Sequence, residues 1–103
     1  MPASPLNPGT NPNANPAPGK DAAVANARND LAQRLNVDPG AITLVSVEQV
    51  DWPDGCLGVH APGIMCTMVI TPGYRVVLEA NGKQYEYHTN ERGDVIRLAT
   101  PIP

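Results

Sequence analysis

The chain has 103 residues and a net charge of -3, with only seven Lys and Arg. Those cations are scattered along it, which argues against the clustered basic face that nucleic acid needs and equally against an anionic membrane surface. No apolar run reaches the ~18 residues of a spanning helix, and no basic segment leads into an apolar one as in an export signal.

Residues 1–20 read as a tether. Six prolines and four asparagines fall there, and Met1 and Leu6 are its only sizeable apolar side chains, too little to offset the chain entropy of folding. Such a start is what often follows a removed signal or lipid anchor, so an extracytoplasmic address is expected. Residues 21–100 then form one domain with a modest core, in the size range where a staple helps.

Asp21 is placed to cap a helix over 22–35, in which Val24, Ala27, Leu31 and Leu35 recur on one face, and Asn36 with Asp38-Pro39-Gly40 ends it. From Ala41 to Trp52 the pattern is that of a strand. Ile42 and Leu44 share one face, Val45 and Val47 the other, and Val50 and Trp52 return to the first, so a bulge is expected near 46–49. Residues 53–66 are an inserted loop rich in Gly and Pro. Thr67 to Thr71 reads as a short strand stopped by Pro72-Gly73.

Asn81-Gly82 is the preferred pair for a two-residue type I′ hairpin turn. Counting outward pairs Ala80 with Lys83, Leu78 with Tyr85, Val76 with Tyr87 and Tyr74 with Thr89 on an apolar face. Glu79 with Gln84, Val77 with Glu86 and Arg75 with His88 make the opposite, solvated face. A second turn at 90–93 leads to a strand carrying Ile96 and Leu98. The expected fold is α+β: one N-terminal helix on a curved antiparallel meander of about four strands.

Cys56 and Cys66 can be a disulfide, a metal pair or two thiols. Closing a loop of this length restricts the unfolded chain by about 2.5–3 kcal/mol, a useful amount for a small core, and makes the disulfide the expected state. A stapled loop could present Leu57, Val59, His60, Ile64 and Met65 outward. Cys66-Thr67-Met68-Val69 has the form of a substrate-like inhibitor segment, a half-cystine before a Thr and then an apolar residue for a specificity pocket. The simpler reading, which alternation favours, packs Met68 and Ile70 inside on a core-facing edge strand.

Cys56, His60, Met65, Cys66 and Met68 are soft donors, but their spacing matches no zinc or blue-copper pattern, so no metal or other cofactor is expected. Ser4 and Ser46 are the only serines, and no catalytic motif surrounds them. Asp51 and Asp54 sit among turn residues, where they suit Asx hydrogen bonding better than acid-base work.

Tyr74 to His88, with Gly93-Asp94-Val95-Ile96, resembles the hairpin and third strand of PepSY-type domains, small bacterial modules that place a helix first and occur in metalloprotease propeptides and exported proteins. That resemblance implies an inhibitory, propeptide-like role. Trp52-Pro53-Asp54-Gly55-Cys56-Leu57-Gly58, with Pro62-Gly63, Cys66-Thr67, Ile70-Thr71-Pro72-Gly73-Tyr74 and Tyr85-Glu86-Tyr87-His88-Thr89, is similar to a family of small exported bacterial proteins without an established activity. The expectation is a monomeric, non-catalytic protein-binding module whose partner is another protein, a protease in its sharpest form. The alternative is a structural domain of the cell envelope.

Overall fold

The computed structural model describes residues 18–101. Most of the expected tether therefore lies outside the described residues. Helix α1 runs Pro18–Leu35, followed by strands β1 (Thr43–Trp52), β2 (Thr71–Ala80), β3 (Lys83–Asn90) and β4 (Ile96–Leu98). The four strands form one antiparallel sheet in sequence order, with α1 packed on one face. This is the expected α+β meander.

The helix starts earlier than residue 22, so residues 18–20 belong to the domain and not to a tether. A proline at the first helical position sacrifices no hydrogen bond, since that N-H has no partner within a helix. Tertiary contact supplies the rest. Gly19 lies so close to the β3–β4 turn that a Cβ there would overlap the Glu91 carbonyl oxygen, and Asn26 Nδ2 donates to Gly93 O at 2.7 Å. Asp21 consequently lies within the first turn, where its charge faces the positive helix end, and is not the cap. At the other end Asn36 adopts φ 57°, its N-H donates to Gln33 O at 3.3 Å, and the N-H of Val37 donates to Ala32 O at 3.0 Å. These are the two bonds of a Schellman stop.

The buried stripe of α1 is Ala23, Ala27, Leu31 and Ala32, with Val24 and Leu35 half-buried beside it. Small residues let the helix approach the sheet closely. Facing them are Val76, Leu78, Tyr85 and Tyr87, and the pairs counted outward from Asn81-Gly82 hold throughout. Tyr87 is fully buried, and its hydroxyl donates to Asp30 Oδ2 at 2.7 Å, where Arg34 Nε also donates at 2.6 Å. Burial, and then the Asp30 carboxylate, push that hydroxyl above the usual tyrosine range and keep it a donor.

Two strand expectations change. The register of β1 on β2 shifts between Leu44 and Ser46, earlier than 46–49, because the side-switch has to precede Val47 if that residue is to face the helix opposite Val76. The segment 67–70 is no strand, and β2 begins at Thr71 and runs through Pro72-Gly73. The proline is tolerated because β3 pairing ends at Gly73–Asn90, so at Pro72 only β1 is alongside.

Candidate functional site

The sheet face away from α1 is not simply solvated. Trp52, the last residue of β1, lies across β2 and stacks on His88 of β3, with ring centroids 3.9 Å apart and planes 17° from parallel, and Trp52 Nε1 donates to Thr89 O at 2.9 Å. Gly73 makes that crossing feasible: a Cβ at this position would overlap Thr89 O and come within 2.9 Å of Trp52 Nε1. His88 was expected on the solvated face. It is buried beneath the indole, with Nδ1 2.6 Å from Leu57 O and Nε2 2.6 Å from Glu86 Oε2. A carbonyl oxygen only accepts, so Nδ1 carries a proton. Glu86 in turn belongs to a charged ladder with Arg75 and Glu48 across the strands.

On this platform the loop folds around Asp54. Its Oδ1 accepts from Cys56 N at 3.0 Å and Gly58 N at 3.2 Å, the expected Asx turn, and its Oδ2 lies 2.6 Å from His60 Nε2. The His60 hydrogen bond first, then the Gly58 and Cys56 N-H groups, hold this buried carboxylate below the usual range against the desolvation that opposes them. Leu57 takes φ 59° and Gly58 φ 75°. A left-handed leucine is costly, and burial and the bond its carbonyl accepts from His88 Nδ1 compensate here. Leu57 is 1 % exposed, so it is not a presented contact as expected but a buried residue whose carbonyl meets His88. An apolar side chain in a Pro/Gly-rich loop reads equally well as outward or inward; only the left-handed turn decides it.

Cys56 and Cys66 form the disulfide, with Cα atoms 5.4 Å apart, and Gly55 N donates to Thr67 O at 2.8 Å beside it. Beyond this base the chain turns outward. Ile64, Met65, Met68, Val69 and Ile70 are all exposed, Met65 at 95 % and Met68 at 82 %. The favoured expectation that Met68 packs inside is therefore overturned. Thr67 O also accepts from Val69 N at 2.9 Å, which closes a three-residue turn with Met68 at its apex, and Thr71 Oγ1 donates to Val69 O at 2.9 Å. Thr67 thus acts through its carbonyl. Val59 is half-buried, while the His60 ring is mostly exposed although bonded to Asp54.

A family model matches residues 24–98, from the first turns of α1 to the end of β4. The chain belongs to that family, Domain of unknown function (DUF8738). No curated protein and no solved structure matches significantly. The DUF8738 match includes the whole stapled loop, so the Trp52–His88 platform and the exposed rim lie inside the family domain. Among the described residues no helix is long and apolar enough to cross a membrane.

Asp54, His60 and Cys66 bring one potential ligand atom each within 4.8 Å of one another. The sulfur is in the disulfide, which removes the thiolate such a site would need. The Trp52–His88 pair is what sequence reading missed. Its trace was Gly73, a glycine inside a strand, which signals close approach of another group.

Because Asp54 is depressed in the folded state, its contribution to stability is complete above the ordinary value of 3.8 and is lost as pH falls below it. Urea midpoints followed from neutral pH into acid should fall for the wild type. Asp54→Asn should start lower at neutral pH and converge on the wild type in acid; a constant gap between the two would show that the carboxylate charge does not brace the loop.

Proposed function

We propose that this DUF8738 domain is a non-catalytic, extracytoplasmic protein-binding module whose rim, residues 64–70, docks in a partner's cleft with Met68 as the anchor, in the manner of a substrate-like protease inhibitor. The observation that carries this is Met68 held out at 82 % exposure two residues beyond a half-cystine. The backbone on both sides is already braced, through Thr67 O and Val69 O. A segment ordered before docking avoids about 0.5–1.5 kcal/mol for each side chain that would otherwise be immobilised. Five exposed large apolar side chains within seven residues are also what marks an interaction surface.

Binding is preferred to catalysis because the groups that could react are engaged structurally. Both sulfurs are joined, both His88 nitrogens face acceptors, and Asp54 is saturated by loop donors. The disulfide supports an oxidising compartment, and a propeptide-like regulatory role, as the PepSY-type resemblance implies, would use the same rim.

The test is a panel of serine, cysteine and metalloproteases. Micromolar or tighter inhibition of one class is expected, with Met68→Asp weakening it at least ~30-fold, the size of a hot-spot anchor of ~2 kcal/mol, and Met68→Leu retaining it. Absence of inhibition across the panel sinks the inhibitor reading. The burial of Leu57, Cys56 and Trp52 would then favour the runner-up, a structural envelope domain in which the loop is packing.

A further inference from the structure

A second surface lies along β4 and shares Ile64 with the rim. β4 is the edge of the sheet, and nothing pairs with its outer side among the described residues. Asn90 N donates to Val95 O and Ala99 N to Glu86 O, so alternation sends the backbone groups of Arg97 toward β3 and those of Ile96 and Leu98 out to the open edge. Along that edge runs a groove of about 470 Å³. One wall is Val59, Ala61 and Ile64 of the loop, the floor is β4, and Arg34 of α1 closes the other side.

The groove carries two guanidinium groups in a chain of net charge -3. Arg34 is bonded to Asp30 through Nε and lies against the Tyr87 hydroxyl, which fixes the group, and its side chain remains half-exposed toward the groove. Arg97 is exposed and forms no ion pair among the described residues. It is the middle residue of β4. From this we infer that the β4 edge receives an extended acidic peptide segment of a partner by strand addition: Ile96 and Leu98 supply main-chain hydrogen bonds, the loop wall takes apolar side chains beside a carboxylate on Arg97 on one face of the added strand, and Arg34 takes a carboxylate on the other face. Strand addition derives affinity from the main chain and specificity from alternate side-chain pockets.

The same charge selects against a second copy of this chain. Antiparallel pairing of two β4 strands about their centre would set Arg97 opposite Arg97 of the other copy, and like charges directly opposite destabilise a sheet pair. A short edge strand bearing a central cation is also a common guard against self-pairing.

The test uses the full chain, isotopically labelled for NMR, and two pools of acetylated, amidated heptapeptides, one mixing glutamate with valine or isoleucine in random order, the other lysine with the same residues. The acidic pool should shift the Ile96 and Leu98 amide resonances and slow their hydrogen exchange, while the lysine pool should not. Arg97→Glu should weaken the acidic pool ~10-fold or more and admit the lysine pool, and Arg34→Gln should weaken the acidic pool alone. No perturbation of Ile96 and Leu98 at millimolar acidic peptide, equal binding of both pools, perturbation confined to residues 64–70, or sedimentation as a dimer through β4 would each overturn the inference. Protease inhibition through Met68 is read separately, so either surface can fail without the other.

Discussion

Gly73→Ala should destabilise the domain by about 3–5 kcal/mol, a large part of the total stability of a chain this size. A methyl group there has no room, since it would overlap the Thr89 carbonyl oxygen and crowd Trp52 Nε1 at 2.9 Å. Either β2 moves off β3 or the indole leaves His88. Gly40→Ala is the control: its Cβ would meet only the Asp38 carboxyl group, no nearer than an ordinary 3.6 Å, so stability should change by no more than about 0.5 kcal/mol. Urea unfolding monitored by the fluorescence of Trp52, the only tryptophan, and by far-UV circular dichroism distinguishes local from global loss. A Gly73→Ala protein with wild-type stability and emission would mean that Trp52 does not cross β2.

Tyr85→Ala and the double change Cys56→Ser, Cys66→Ser should separate the two layers. Tyr85 is buried on the helix side of the sheet beside Leu78 and Tyr87, and truncating such a ring costs roughly 3–5 kcal/mol. Loss of the disulfide releases a loop whose closure is worth roughly 2.5–3 kcal/mol in the entropy model, while the face between α1 and the sheet keeps its own contacts. The double Ser protein should therefore stay folded, with altered Trp52 emission and weaker partner binding, and Tyr85→Ala should unfold at markedly lower urea. Should the double Ser protein unfold outright while Tyr85→Ala stays folded, the stapled layer is the structural centre of the domain.

The hairpin was legible because Asn81-Gly82 specifies its own turn, and a period of two then assigns every partner from Ala80–Lys83 to Tyr74–Thr89. The stop at Asn36 and the Asx turn at Asp54 were equally local: each depends on one side chain or one backbone conformation within a few residues. Disulfide pairing needed only that there be two cysteines in a small loop-rich domain. The candidate site was half legible, in that Asp54, Cys56, Cys66 and the apolar loop residues marked the segment without saying which of them face water.

What local pattern could not decide was anything resting on a second surface. The start of α1 at Pro18 depends on Gly19 meeting the turn at 91–93, and the fate of His88 depends on an indole arriving from a strand that is not its neighbour. Alternation placed Met68 and Ile70 inside, but a strand forms only where a partner offers hydrogen bonds in register, and β1 pairing ends at Trp52–Thr71. Beyond that pair Thr67 O bonds instead to Gly55 and Val69, which turns the apolar rim outward. Sequence by itself determined the helix stop, the hairpin with its register and the pairing of the two cysteines, because those are written in turn chemistry and short-range periodicity. Only the tertiary structure decided which side of the sheet the loop covers, that Leu57 is buried and Met68 exposed, because burial is settled by what lies across the gap.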